Sequence, residues 1–153
     1  MLSLNELNII KETVADFFRK MTIDVDIRYV DQREEIVPIE IITEEPQLLI
    51  GEKGQTLSEI QHLLKSILRR KIETPFYIDL DINDYKKKKM EYLKEMARSA
   101  ADEVAINKTE KELPPMPPYE RRIIHMEIAG RLDVKTESVG EEPERRIVIK
   151  PSI

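Results

Sequence analysis

The sequence predicts an α+β protein, with helices packed on one face of a three-stranded sheet and a second, smaller α/β half behind it. Three observations lead there. Apolar spacing changes from threes and fours to strict alternation and back within the first 82 residues. The turn Gly51-Glu52-Lys53-Gly54 separates two helical patterns ahead of another strand. The proline run Leu113–Pro118 (LPPMPP) then interrupts the second half, since it suits neither a helix nor a central strand.

Each element has its own signal. Leu4, Leu7, Ile10, Val14, Phe17 and Phe18 form one stripe of a helix over 3–20, with Ser3 and Glu6 as a capping box. Ile23, Val25, Ile27 and Tyr29 alternate through Thr22–Val30, and Ile36–Ile42 is a second β-rich run whose Pro38 suits an edge. Glu44, Glu45 and Pro46 open a short helical turn through Ile50. Past the glycine turn, Leu57–Lys71 carries a capping box in Thr56 and Glu59 and a stripe of Leu57, Ile60, Leu64, Ile67 and Leu68. Phe76–Leu80 closes the first unit as its third strand, and the break between halves falls near Ile82–Asn83.

From Asp84 a helical pattern runs to about Asn107, opening with the Lys86–Lys89 run and turning Met90, Leu93, Met96, Ala97 and Ala100 inward. Pro118 fits the first turn of a helix over Tyr119–Ala129, with Gly130 as its stop. Strands Asp133–Glu137 and Arg145–Lys150 follow, joined by an acidic turn over Ser138–Glu144.

Composition narrows the function. The 153 residues are 41% apolar and 36% charged, a globular balance. Without cysteine there is no disulfide, thiolate metal site or cysteine nucleophile, and two histidines, His62 and His125, cannot form a histidine cluster. With no Trp and 5% aromatics, binding of bases cannot lean heavily on stacking. No apolar run reaches the ~20 residues of a membrane span, and the acidic N-terminus is unlike a signal peptide, which points to a cytoplasmic protein. Net charge is −5, but the acidic excess sits in residues 1–50, which hold 5 basic and 11 acidic side chains. The basic clusters Lys65/Arg69/Arg70/Lys71, Lys86–Lys89, Arg121/Arg122 and Arg145/Arg146 leave room for a salt-sensitive basic face.

Two motifs carry chemistry. In the first, glycines let the backbone approach a phosphate, the next helix presents its N-terminus and Lys53 adds a charge. In the second, Arg121-x-x-x-His125 places a guanidinium and an imidazole on one helix face, where both can meet a phosphate. Arg121 with His125 could also serve a phosphodiesterase, yet no second base, metal site or P-loop accompanies them. The expectation is a protein without catalysis, cofactor or metal.

LLIGEKGQTLSEIQHLLKSILRR resembles a KH domain of type II (α-β-β-α-α-β), and LPPMPPYERRIIH with TESVGEEPERRIVIKP resembles an R-3-H domain. In that order the two are similar to the Jag family of bacterial RNA-binding proteins, also called KhpB or EloR. The resemblance covers about Ile23 to Pro151, and it implies a KH domain over 1–82 and an R-3-H domain over 83–153 that begins with the long helix. It implies contact with single-stranded RNA, or single-stranded DNA, by Gly51, Glu52, Lys53, Gly54, Lys65, Arg69, Arg70, Arg121, Arg122 and His125. Post-transcriptional regulation is the expected role. A scaffold that pairs with a small KH-domain protein to control cell-wall growth or division is the alternative, and the family carries a functional link to a membrane insertase. The sequence departs from the pattern at Glu52, acidic where such loops favour a basic residue, and in showing no N-terminal Jag domain.

Overall fold

Ser3 and Glu6 start the first helix with the predicted capping box. Glu6 N–H donates to Ser3 Oγ at 3.2 Å, and Ser3 N–H donates to Glu6 Oε2 at 2.8 Å. In the computed structural model, which describes residues 1–152, this helix is α1 (Leu4–Met21). It buries Ile10, Val14 and Phe18, whereas Leu4 is exposed and Leu2, ahead of the helix, takes a place in the core. The described residues divide into two compact units, with the boundary between Lys86 and Lys87.

In the first unit β1 (Asp26–Tyr29) pairs antiparallel with β2 (Ile36–Ile42), and β2 pairs parallel with β3 (Tyr77–Ile82). The strand order is β1-β2-β3, so the Pro38 strand is central and not an edge. Pro38 is tolerated because of where its missing N–H falls. It lies opposite Val30, one residue beyond the end of β1, where Val30 N–H still reaches the Pro38 carbonyl at 3.4 Å. Val37, Ile39, Ile41, Ile78, Leu80 and Ile82 all turn to one face, where α1 and α3 (Gln55–Leu68) cover them. Leu57, Ile60, Leu64 and Leu68 are the buried stripe of α3, and each adds ~1.5–3 kcal/mol of burial.

The second unit holds most of α4 (Tyr85–Asn107), then β4 (Lys111–Glu112), α5 (Pro118–Ile128), β5 (Val134–Val139) and β6 (Arg146–Pro151). Its sheet is antiparallel with order β4-β6-β5. The two-residue β4 is too short to leave a period in the sequence. Its pairing continues into the proline connector, where Leu113 N–H donates to the Ile147 carbonyl and Met116 N–H to that of Arg145. Leu113 and Met116 thereby enter a core built from Leu93, Ala97, Ala101, Val104, Ile124 and Ile147. Met90, expected inward, is exposed. Gly130 does not take a left-handed stop, since α5 closes at Ala129 with helical dihedrals and no positive φ at Gly130.

One tie joins the start of α1 to the segment before β3: Thr74 Oγ1 donates to Glu6 Oε1 at 2.6 Å. With the capping bonds it holds the Glu6 carboxyl down at about 2, against an ordinary 4.5. A lowered carboxyl stabilises the fold above pH 4.5, and that contribution is lost as pH falls from 4.5 to about 2. Glu6→Gln is expected to flatten this acid limb, read as the urea midpoint across that window.

Candidate nucleic-acid interface

The glycine turn is held by sterics. α2 (Pro46–Ile50) ends at Gly51, a 3-10 turn spans Glu52–Gly54, and α3 begins at Gln55. Gly51 has φ +71°, and a Cβ there would lie 2.1 Å from Thr56 Oγ1, so no side chain fits. Gly54 has φ +80°, and its Cβ would lie 2.9 Å from the Tyr85 ring. Any substitution at Gly54 therefore strains the turn. Between them Lys53 is also left-handed (φ 53°, ψ 24°), a conformation costing a Cβ-bearing residue ~1–2 kcal/mol. Glu52 and Lys53 are exposed.

The expected Thr56/Glu59 capping box does not form, because α3 starts two residues early with Gly54 as its cap. Thr56 instead packs behind Gly51, and no side chain caps the helix N-terminus. That end keeps its positive dipole facing the turn.

The other basic candidates of this unit lie elsewhere. Lys65 is ten residues into α3, ~15 Å along the axis, and Arg69 and Arg70 follow its last turn. Lys65 Nζ sits 4.9 Å from the centre of the Tyr77 ring, while Arg69 and Arg70 are exposed. The Lys86–Lys89 run is not a uniformly solvated face. Lys86 pairs with Asp79 at 2.5 Å and reaches Gln61 Oε1 at 3.2 Å, and Lys89 lies 3.9 Å from Glu120, leaving Lys87 and Lys88 exposed. Gln61 Oε1 also accepts the Leu80 N–H at 3.0 Å.

In the second unit the Arg/His pair is split by depth. Arg121 is buried, at 8% exposure, and its Nη1 donates to the Met116 carbonyl at 2.8 Å and to Glu142 Oε1 at 2.7 Å. It holds the proline connector and the acidic turn against α5. The expectation of an open arginine contact is corrected here, because the face that points to His125 also points to the core. His125 is half-buried, its Nδ1 hydrogen-bonded to Thr136 Oγ1 at 2.6 Å. Burial, and then the neighbouring Arg121 charge, pushes its pKa below the ordinary 6.5. An exposed histidine charging near pH 6.5 is therefore not what the fold provides. Arg122, one residue on, is exposed. Sequence spacing missed Glu120, which is buried beside Arg121, since charge alone gave no sign that it turns inward.

Residues 91–151 match the R-3-H domain. The chain is thus an R-3-H-domain protein with an α/β unit bearing a glycine turn ahead of that domain. Proteins named RNA-binding protein KhpB are similar across both parts. The one from Clostridium symbiosum is 33% identical over 129 residues, 84% of this chain and 58% of its own length. That of Bacillus subtilis is 35% identical over 122 residues, 78% of this chain and 59% of its own. That of Lactiplantibacillus plantarum is 33% identical over 129 residues, 84% of this chain and 39% of its own. Over most of its length the chain is similar to these KhpB proteins, and it spans between 39% and 59% of the three.

Two outcomes follow for α5. Arg121→Ala leaves the Met116 carbonyl short of its donor and should cost about 1–3 kcal/mol in urea unfolding, whereas Arg122→Ala should stay within about 0.5 kcal/mol. His125 has its folded pKa below 6.5, so the unfolded chain takes up a proton first and stability is lost as pH falls through 6.5. His125→Gln should lose less Tm than the parent between about pH 7.5 and about pH 5, as measured by circular dichroism.

Proposed function

We propose that the chain binds single-stranded RNA, with a KH domain over 1–82 and an R-3-H domain over 83–153, and that it acts without catalysis in post-transcriptional regulation in the bacterial cytoplasm. The observation that carries this is the Gly51–Gly54 turn: two glycines and a left-handed Lys53 expose backbone and one cation at the uncapped N-terminus of a fourteen-residue helix. Strain kept in an exposed turn is a mark of use. KH domains clamp four nucleotides against such a turn. The α-β-β-α-α-β order supports the KH reading, as do the R-3-H match and the RNA-binding name of the relatives.

Within this reading Gly51, Lys53 and Gly54 receive the phosphates, Glu52 limits their affinity, and Lys65, Arg69 and Arg70 meet the strand further along α3. Arg122 is the open contact of α5. Arg121 and His125 position that helix, one by holding the connector and the other by bonding β5. Single-stranded DNA offers the same phosphates and is the competing strand.

A second reading, a scaffold that pairs with a small KH-domain protein and acts beside a membrane insertase, draws on one observation. The Arg121 guanidinium is already taken by Glu142 and is not open to a phosphate. The two readings part at the turn. Glu52→Lys should tighten binding of an unstructured RNA and steepen its salt dependence by ~0.7 in log–log slope for one added phosphate contact, measured by fluorescence anisotropy. Unchanged affinity and slope would remove phosphate from this turn and favour the scaffold.

A further inference from the structure

An open cleft of about 400 Å³ lies at the far end of α3 from the glycine turn, which is within the range of small-ligand sites. Its apolar part is formed by the buried Ile72 and Phe76, and its polar part by Arg69, Glu73, Thr74 and Tyr77. Tyr77 is 53% exposed at the first residue of β3, with the Lys65 ammonium 4.9 Å from its ring centre. The Thr74 hydroxyl is committed to Glu6, which fixes the segment that carries the cleft. An exposed ring, two cations and an apolar wall are the parts that hold a nucleotide: the ring stacks a base and the cations meet its phosphate.

Resting on the RNA reading above, we propose that this cleft is a base-stacking site for a nucleotide outside the four held at the glycine turn. The base packs on Tyr77 and the walls of Ile72 and Phe76. Lys65 and Arg69 neutralise the flanking phosphate, and the exposed Glu73 carboxylate accepts from an exocyclic amino group, which favours adenine or cytosine over uracil at this position. Aromatic residues are scarce in this chain, so an exposed tyrosine with a lysine beside its ring and an arginine in the same cleft marks a place along the strand, and longer strands gain from it.

The chain has no tryptophan, so Tyr77→Trp places a single reporter in the full-length protein. We expect its emission to quench on adding an unstructured RNA octamer but not a tetramer, with oligo-A quenching more than oligo-U. Tyr77→Ala should weaken octamer binding about 5- to 100-fold in anisotropy and leave the tetramer unchanged, while Tyr77→Phe should retain affinity. Circular dichroism checks that each variant is folded, and the alanine series stands if the tryptophan variant is not. If the parent binds the octamer but Tyr77→Ala binds it equally well and the tryptophan emission is silent, the stacking site is wrong and the RNA reading survives. If the parent binds no RNA at either length, both are wrong.

Discussion

Parallel pairing of β2 with β3 is the constraint on which the first unit depends. Parallel neighbours cannot be joined by a hairpin and need a crossover of a dozen or more residues. Residues 43–76 supply it, and they must leave β2, cover one sheet face and return to the far end of β3. The crossover is made of α2, the glycine turn and α3, so the turn is a consequence of strand pairing before it is a feature of function. Its tightness follows, because Thr56 must fit behind Gly51 for α3 to reach the face built from Val37, Ile39 and Ile41.

The second unit has a different organiser. Its connector carries four prolines and can donate few hydrogen bonds, so carbonyls along it need outside donors. Arg121 supplies one to Met116 and gives another bond to Glu142 of the acidic turn. A guanidinium suits this work because its planar fork of donors stays charged at any working pH. The half-buried His125 reaches β5 through Thr136, so adjacent turns of one helix hold different parts of the unit.

Much of this was legible in the sequence for reasons that can be named. Long elements with a sharp period, α1 and α3, and the Ser3/Glu6 capping box appear where the apolar spacing puts them. What failed depended on depth and on neighbours distant in sequence. Pro38 looked like an edge residue because its N–H is absent, but only strand order shows that the missing donor falls beyond the end of β1. Thr56 looked like a cap because nothing local reveals that it packs behind Gly51. Arg121 and His125 share a face by spacing, which says that they are neighbours and not that the face is turned inward. Lys86 and Lys89 read as members of an open basic cluster because their acidic partners, Asp79 and Glu120, lie on other elements.

The Gln61 side chain has a bearing on how copies of this chain meet. β3 is an edge strand, and its outward amide at Leu80 is occupied by Gln61 Oε1, with Lys86 bonded to the same oxygen. A strand from a neighbouring molecule could add to β3 only by first displacing that carboxamide, and Lys86 would place a charge in its path. Open sheet edges are templates for aggregation, and covering or charging them is how folded chains stay apart. A half-exposed glutamine on α3 thus guards this one edge of the first sheet against strand addition.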